Sequence, residues 1–148
     1  MKAITLWGPW AHLITLDLKH YETRSWGTKY RGLLAIHASK KIVPLNDSLR
    51  ALTLNQRRYV NDKICLKYSD YRSMPAGAVI AICSLVDCVE ITASFISKLN
   101  WLEKACGDYT LGRFAWVLED VRAISEPIPI RGKQKLWEWE VPEGVKVS

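Results

Sequence analysis

Long hydrophobic runs and glycine-rich loops are both missing from this sequence. No segment approaches the ~20 consecutive apolar residues of a membrane-spanning helix, so we expect no membrane partner. Met1 and Lys2 lead directly into a short strand-like run rather than the apolar stretch of a signal peptide, which predicts a cytoplasmic protein. Because the glycines stand apart from one another, the phosphate-cradling loops of P-loop and dinucleotide-binding enzymes are excluded.

Cysteine is scarce and is not arranged for metal binding. No Cys-x-x-Cys pair and no histidine at zinc-finger spacing occurs among the four cysteines, which are Cys65, Cys83, Cys88 and Cys106. Cys83 and Cys106 lie in apolar segments, which predicts buried, reduced thiols. Ser39 lacks the surroundings of a nucleophile elbow, so serine nucleophile chemistry is weakly supported. We therefore expect no metal ion and no cofactor.

What the chain does contain is tryptophan and positive charge. The 148 residues include seven Trp against two Phe, and 21 basic against 15 acidic side chains give a net charge of +6. An indole ring offers a flat stacking face and one N–H donor, and a basic surface favours anionic partners. The length and the 49% of hydrophobic residues suit one domain over residues 1–148.

Apolar periodicity and turn residues predict a mixed α+β fold. A short helix is predicted from Pro9 through Leu18, and further helices after the capping residues at 46–48 and through Leu102. Strands are predicted over residues 2–7, 22–26, 32–38, 78–91, 114–124 and 136–140. The length of the run 78–91 indicates a bend or bulge. The resulting order predicts a mostly antiparallel sheet curled into a small β-barrel with flanking helices.

Charged residues gather where the first helix is followed by a strand. Lys19 ends the helix, and Glu22 and Arg24 are two residues apart, so they share one face of the strand. Two cations can hold a phosphate or a carbonyl oxygen, while a carboxylate between them accepts from a base amine or orients a water. The alternative is a solvated ion-pair network worth under about 1 kcal/mol. If the chain is an enzyme, Lys19 and Glu22 are the candidate catalytic residues.

Aromatic rings flank this charged segment on both sides. Trp7 and Trp10 surround the turn before the helix, and Trp26 and Arg31 follow the strand. Proteins stack bases and neutralise phosphates with flat rings interleaved with cations. The helical spacing of Trp10 favours a core position, whereas Trp7 and Trp26 suit either the core or a ligand site. We take Trp7, Trp26 and Arg31 as candidate ligand-binding residues.

A polar cluster ends the apolar strand 32–38. It contributes His37, Ser39 and Lys40 as further candidate ligand-binding residues. A histidine in an apolar run is often a hydrogen-bonded core residue, and the alternative is a ligand donor or general acid/base at the end of the strand. A second basic group, which predicts a rim able to guide a phosphate backbone, consists of Arg113, Arg131, Lys133 and Lys135.

Taken in order, these segments resemble the ASCH domain family, which belongs to the PUA-like superfamily. The resemblance covers nearly the whole chain and rests on the motifs Trp7-x-Pro9-Trp10-Ala11, Lys19-x-x-Glu22-x-Arg24, Tyr30-Arg31-Gly32 through Ser39, Gly77 through Ala81, Gly112-Arg113 through Trp116, and Gly132-Lys133-Gln134 through Trp137. The family signature is Gly-x-Lys-x-x-Glu-x-Arg. In this chain Asp17 stands at the position of the signature glycine.

The resemblance implies a PUA-like β-barrel with a cleft lined by the signature Lys, Glu and Arg. In the family that cleft is associated with RNA or DNA binding, and relatives occur in transcription coactivators. Some small bacterial members are amidohydrolases of N4-acylated cytidine that use a Lys, a Thr nucleophile and a Glu, and at least one member is reported as a ribonuclease. The threonine of those amidohydrolases falls at Glu22 here. Thr23 is offset by one residue, which on a strand predicts the opposite face.

Three functions follow from these observations. The leading interpretation is a module that binds RNA, DNA or a nucleoside ligand, and most favourably RNA or another single strand, in a Lys/Glu/Arg cleft. The second is a hydrolase that acts on a modified nucleoside, as the N4-acylcytidine amidohydrolases do, or on RNA. The third is a protein-interaction domain whose tryptophans form a contact patch.

Overall fold

A computed structural model describes residues 1–145 of the chain. Its strands are β1 (Lys2–Gly8), β2 (Tyr21–Arg24), β3 (Gly32–Ile42), β4 (Ala78–Glu90), β5 (Phe114–Pro129) and β6 (Leu136–Glu138). Its α-helices are α1 (Trp10–Thr15), α2 (Leu45–Ser48), α3 (Leu54–Tyr68), α4 (Ala93–Ser97) and α5 (Trp101–Ala105). A single 3₁₀ turn, Tyr71–Ser73, precedes β4.

The six strands form one sheet in the order β2-β5-β4-β3-β1-β6. Neighbouring strands are antiparallel except β1 and β3, which are parallel. The α+β class and the mostly antiparallel sheet are therefore as predicted. The closed barrel is not: within residues 1–145 the edge strands β2 and β6 do not pair with each other, so the sheet stays open.

The sheet nevertheless curls until its edge strand β2 faces β1. The pairing of β4 with β5 shifts register at three places, between Val79 and Ala81, Ile82 and Ser84, and Leu85 and Asp87. Such irregularities bend a strand pair and increase its twist, and one was predicted for the long run 78–91. As a result Arg24 Nη2 on β2 donates to Thr5 O on β1 at 3.2 Å, although three strands separate them in the sheet. We call this gap between β2 and β1 the seam.

Both faces of the central strands are buried. Inside the curl, Ile4 and Ile36 pack around the fully buried Trp116. On the opposite face of the same strands, Ala35 packs against Trp137, which β6 contributes. Burial on both faces explains why the run 32–38 is almost continuously apolar. This double-sided core fixes β1, and with it the position of the seam.

Residues of the helices share an apolar cluster separate from those on the two faces of the sheet. Thr53 and Gln56 begin α3 with a capping box, in which each side chain accepts a hydrogen bond from the backbone N–H of the other. Only Val60 and Ile64 of α3 are buried, and they join Leu13 of α1 in a separate apolar cluster. The long polar surface of α3 therefore faces outward, and the helix is held by a narrow apolar stripe.

The first helix ends sooner than predicted, before Leu18. Leu18 N donates to Leu13 O at 2.9 Å and Asp17 N donates to Ile14 O at 3.0 Å, which is the Schellman pattern of helix termination. Asp17 takes the left-handed conformation that this pattern requires, with φ 61°. A glycine usually fills that position because it has no Cβ. The turn after α1 is thus preserved even though aspartate replaces the signature glycine.

The helix predicted through Leu102 is two short helices instead of one. Thr92 Oγ1 accepts from Phe95 N at 3.2 Å and starts α4. Asn100 Oδ1 accepts from Glu103 N at 2.8 Å and starts α5. An asparagine that caps a backbone N–H begins a new helix rather than continuing the old one. Strands β2 and β6 each end two residues before the predicted boundary, at Arg24 and Glu138.

Candidate nucleic-acid-binding site

Lys19, Glu22 and Arg24 meet at the seam. Glu22 Oε2 lies 3.1 Å from Arg24 Nη2, and Glu22 Oε1 lies 3.7 Å from Lys19 Nζ. Glu22 and Arg24 project from the same face of β2, as their spacing predicted. Because Arg24 also donates to Thr5 O, one guanidinium contacts both a carboxylate and the backbone of β1. The cluster therefore combines two cations with the carboxylate of Glu22, a residue that is 8% exposed.

Lys19 lies behind this cluster. Only 1% of its surface is exposed, and Nζ donates to the backbone oxygen of Cys106 at 2.6 Å. Cys106 directly follows α5, so Lys19 connects that helix to Glu22. A buried ammonium requires such partners, because an unpaired charge in the interior is strongly unfavourable. The geometry gives Lys19 the place of a residue that orients Glu22 from the protein side.

A cleft of about 580 Å³, which we call the seam cleft, opens beside Glu22 and Arg24. Trp7 lines it with half of its surface exposed, and Lys41 Nζ lies 3.8 Å from the centre of the Trp7 ring. A cation over one face of an indole is attracted by the ring quadrupole and holds the ring in place. Trp10 also lines the cleft, although its helical position makes it partly a core residue. The exposed ring of Trp7 and the Arg24–Glu22 pair thus share one opening.

The seam cleft is also lined by Thr23, Asp108 and Arg113, which sequence reasoning did not assign to it. Arg113 donates to Thr23 O and to Asp108 O, at 3.3 Å and 3.1 Å. Thr23 Oγ1 accepts from Asp108 N at 3.2 Å. The two neighbouring side chains have different partners, because Thr23 contacts Asp108 whereas Glu22 contacts Lys19 and Arg24, yet both residues border this cleft. Arg113 was recognised only as part of a basic group, because its partner Thr23 is 90 residues away in sequence.

A second cleft, which we call the loop cleft, lies under the segment 129–134 and measures about 840 Å³. His37, Ser39 and Lys40 line it, so these three candidates share one opening with the basic segment. Gly132 is essential to this arrangement: a Cβ there would stand 2.7 Å from His37 Cε1 and 2.8 Å from Thr5 Oγ1. Only glycine permits the segment to approach β1 and β3 so closely.

His37 is a core histidine and a cleft residue at once. It is 2% exposed, and its Nε2 donates to Ile130 O at 2.7 Å, so Nε2 carries the proton of the neutral ring. Its ring packs edge-on against Trp137 with centroids 5.7 Å apart. Burial lowers the pKa of His37, against the smaller opposing effect of the Ile130 hydrogen bond. At neutral pH the imidazole is therefore uncharged and holds the segment 129–134 against the sheet.

Trp26 and Arg31 lie away from both clefts. Trp26 packs edge-on against Trp116 with ring centroids 4.9 Å apart, and its backbone oxygen accepts from Trp116 Nε1. Arg31 is on the exposed turn before β3 and lies 3.5 Å from Asp87. Neither side chain lines the seam cleft or the loop cleft. The sequence left open whether Trp7 and Trp26 are core or ligand-site residues. In the structure Trp7 lies at the seam cleft, and Trp26 packs against the core.

Glu103 is a buried carboxylate that sequence reasoning missed. It is 3% exposed, and its Oε1 accepts from His20 N at 2.7 Å and also contacts His20 Nδ1. The other carboxylate oxygen accepts from Tyr109 Oη at 3.4 Å, and burial with the nearby Glu103 charge raises the pKa of Tyr109. The pattern Asn100-x-x-Glu103 marks a helix start, but nothing local indicates a partner 83 residues away.

The thiols and the remaining polar groups supply no metal centre in the described part of the chain. No three His, Cys, Asp or Glu side chains among residues 1–145 come together as metal ligands. Cys83 and Cys106 are buried as predicted, and burial raises the pKa of Cys83 to about 12 and that of Cys106 to about 11. Both thiols are therefore protonated at neutral pH. No helix within residues 1–145 has the length and apolarity needed to cross a bilayer.

Comparison with known proteins identifies the family. The model of the ASCH domain matches residues 4–146, which is almost the entire chain. The chain belongs to the ASCH domain family. Its fold is thus of the PUA-like kind, in the open form described above. The family signature falls on the three residues that meet at the seam.

Two curated relatives and one solved structure place this ASCH domain among known proteins. The human and mouse proteins named activating signal cointegrator 1 are each 24% identical over 93% of the chain. The chain spans about a fifth of their length, 22% in both cases. A mutant form of ZmASCH from Zymomonas mobilis superposes with a TM-score of 0.53 at 17% identity, covering 94% of this chain and 89% of that one. This last match concerns the fold alone.

Proposed function

We propose that this ASCH domain binds nucleic acid, RNA or another single strand, at the seam cleft. Arg24 and Arg113 supply positive charge for a phosphate or a base carbonyl. Glu22, held by Lys19 and Arg24, accepts a hydrogen bond from an exocyclic amine of the base. Trp7 provides a face on which that base stacks, an interaction worth about 1–3 kcal/mol per base.

The observation that carries this proposal is the Arg24–Glu22 pair beside a half-exposed indole. A surface ion pair would leave Glu22 in water, whereas here the residue is only 8% exposed and its carboxylate contacts two cations. A half-exposed indole ring offers a large apolar face that a stacked base would bury. The neighbouring side chains of Thr5, Thr23 and Arg113 complete an opening of about 580 Å³, within the range of small-ligand sites.

A binding experiment over a salt series tests the proposal. Arg24→Ala should weaken binding of a short single-stranded RNA at least about tenfold, since hydrogen bonds to charged groups contribute about 1.5–3 kcal/mol each. Trp7→Ala should weaken it by a similar factor with little change in the salt dependence, because stacking does not release counterions. Arg122→Ala is the matched control: Arg122 also pairs with an acid at 3.1 Å but lines neither cleft. Equal affinities for all four proteins would contradict the placement of the site.

A hydrolase of a modified nucleoside or of RNA is the second candidate, and one observation favours it. Glu22 borders a cleft sized for a nucleoside, and Lys19 Nζ lies behind it, 3.7 Å from Glu22 Oε1 and nearly excluded from solvent. Such a pair can carry a proton between the protein and a bound carbonyl. Incubation with N4-acylated cytidine and with short RNAs should then give product, and Lys19→Met, which keeps the side-chain length, should abolish it with the circular dichroism spectrum unchanged. Failure to turn over any of these substrates would exclude this candidate for them.

A further inference from the structure

The seam cleft and the loop cleft are joined by a third opening, which we call the bridging cleft, of about 330 Å³. Trp7 and Arg24 line both the seam cleft and the bridging cleft. Lys133 and Gln134 line both the bridging cleft and the loop cleft, and Thr5 lines all three. The three openings therefore adjoin one another around Thr5, and together we call them the groove.

The groove is open because strand β6 is too short to cover it. β1 runs to Gly8, but β6 pairs with β1 only as far as Ile4. Lys135, directly before β6, has φ 58°. This left-handed conformation is incompatible with a strand, so β6 begins only at Leu136. Within residues 1–145 the backbone of β1 from Thr5 onward thus has no strand on this side. Arg24 donates to Thr5 O across the gap, and the groove passes this point.

Charge is distributed unevenly along the groove. Its two acidic lining residues, Glu22 and Asp108, are both in the seam cleft. The bridging and loop clefts contain no acidic residue, and their cations are Arg24, Lys40, Arg131, Lys133 and Lys135. A carboxylate suits the amine of a base, and a stretch of cations alone suits phosphates. The groove therefore offers a place for a base at one end and a run of positive charge leading away from it.

The loop cleft is also larger than a phosphate requires. At about 840 Å³ it exceeds the seam cleft, which is already large enough for a nucleoside. Pro129 and Ile130 add apolar surface to its cationic lining. Apolar surface with cations around it suits a second base and its sugar, whereas a polyphosphate tail would contact only the cations.

We infer that the groove takes a single strand of at least two nucleotides. This inference rests on the nucleic-acid-binding function proposed above and adds a second nucleotide site and the path of the strand between the two sites. One base lies in the seam cleft against Trp7. The phosphodiester that follows it passes the bridging cleft between Arg24 and Lys133, and the next nucleoside enters the loop cleft.

A length series tests the inference. The ligands are a nucleoside monophosphate, a nucleoside triphosphate, and the di- and tetranucleotide of the same base, each titrated against wild-type protein and three variants. The affinity of the wild type should rise at least about fivefold from the monophosphate to the dinucleotide, since a stacked base adds about 1–3 kcal/mol. Lys133→Ala should weaken the tetranucleotide severalfold and reduce its log–log salt slope by about 0.7, the contribution of one contact to a single strand. It should leave the monophosphate unchanged.

Two variants separate the possible failures. Arg24→Ala should weaken every ligand in the series, and Lys98→Ala, an exposed lysine that lines none of the three clefts, should weaken none. If the monophosphate or the triphosphate binds as tightly as the tetranucleotide, and Lys133→Ala affects all lengths equally, the two-nucleotide inference is overturned while the proposed function stands. If no ligand binds, or Arg24→Ala has no effect on any of them, both are overturned.

Discussion

Arg24 on β2 and Thr5 on β1 are joined by a 3.2 Å hydrogen bond from guanidinium to backbone oxygen, across a gap that no strand fills in residues 1–145. In a closed barrel this place would be occupied by a ladder of backbone hydrogen bonds. Here a side chain makes the connection, and the space that a ladder would have filled is the seam cleft. The same guanidinium lies 3.1 Å from Glu22, so the contact that completes the fold also builds the candidate site.

Replacement of Arg24 by lysine should lower stability as well as binding. A single ammonium cannot reproduce the planar fork that contacts Glu22 and Thr5 together. We expect Arg24→Lys to reduce the free energy of unfolding by about 1.5–3 kcal/mol, the value of one hydrogen bond to a charged group. Urea denaturation would measure this. Arg122→Lys, at an exposed pair of the same 3.1 Å length, should change stability by less than about 0.5 kcal/mol. Equal losses of unfolding free energy in both variants would show that the seam contact stabilises the fold no more than an exposed ion pair does.

Gly132→Ala should displace the basic segment from the sheet. The added Cβ would be 2.7 Å from His37 Cε1 and 2.8 Å from Thr5 Oγ1, and neither ring nor strand can retreat freely. We expect a loss of about 1–3 kcal/mol, typical of overpacking, together with weaker binding of oligonucleotides. Thermal unfolding followed by a double-mutant cycle with His37→Ala checks the cause. If the clash with His37 is responsible, the two losses should be less than additive. Full additivity would mean that the ring is not what resists the methyl group.

Stability should fall as the solution is acidified through the histidine range. Burial lowers the pKa of His37 below its ordinary value of about 6.5. The unfolded chain therefore binds the proton first, so the stability due to neutral His37 is fully present above about pH 6.5 and is lost as pH falls below it. His12, which is fully buried and hydrogen-bonded to Pro75 O, acts in the same direction.

His37→Gln tests this assignment. The glutamine amide can still donate to Ile130 O but does not titrate, so the loss of unfolding free energy between about pH 7 and pH 5 should be smaller in the variant than in the wild type. Urea denaturation at several pH values gives the two slopes. Identical slopes would mean that His37 keeps the same pKa in the folded and unfolded chains.

Much of the candidate site follows from local spacing, and the rest depends on contacts between distant residues. The two-residue interval between Glu22 and Arg24 is enough to place them on one face of a strand, and they are indeed 3.1 Å apart. No local pattern indicates that Arg24 reaches Thr5. That contact depends on how strongly the sheet curls over the five strands from β2 to β1. Likewise the sequence around Trp7 and Trp26 does not show which of them is a core residue. Trp26 packs against Trp116, which lies 90 residues further along the chain.

The same distinction explains the errors in the fold. The predicted barrel required the edge strands β2 and β6 to pair, but β6 is a three-residue strand that follows Lys135 at φ 58°. The predicted single helix through Leu102 ignored Asn100, whose side chain caps a new helix. Thr23 was not assigned to the cleft because its partner Asp108 is 85 residues away in sequence.

Asp17→Gly should make the domain more stable. Asp17 holds the left-handed position of the Schellman turn with φ 61°, where an L-residue with a Cβ is disfavoured by about 1–2 kcal/mol relative to glycine. Two effects offset part of this gain. Glycine makes the unfolded chain more flexible, which lowers stability by about 0.4–1 kcal/mol. The exposed contact between Asp17 and His20 Nε2, 3.0 Å long, is also lost. We expect a net gain of about 0.5 kcal/mol, or roughly 1–2 °C in Tm for a chain of this size.

Asp17→Ala is the control that isolates the backbone term. Alanine loses the contact with His20 as glycine does, but it keeps the Cβ that is strained at positive φ. The order of melting temperatures should therefore be Gly above Asp above Ala at position 17. If alanine and glycine are equally stable, the turn after α1 does not require the left-handed conformation, and the replacement of the signature glycine by aspartate carries no energetic cost. If both are less stable than the wild type by the same amount, the His20 contact rather than the backbone determines the preference for aspartate.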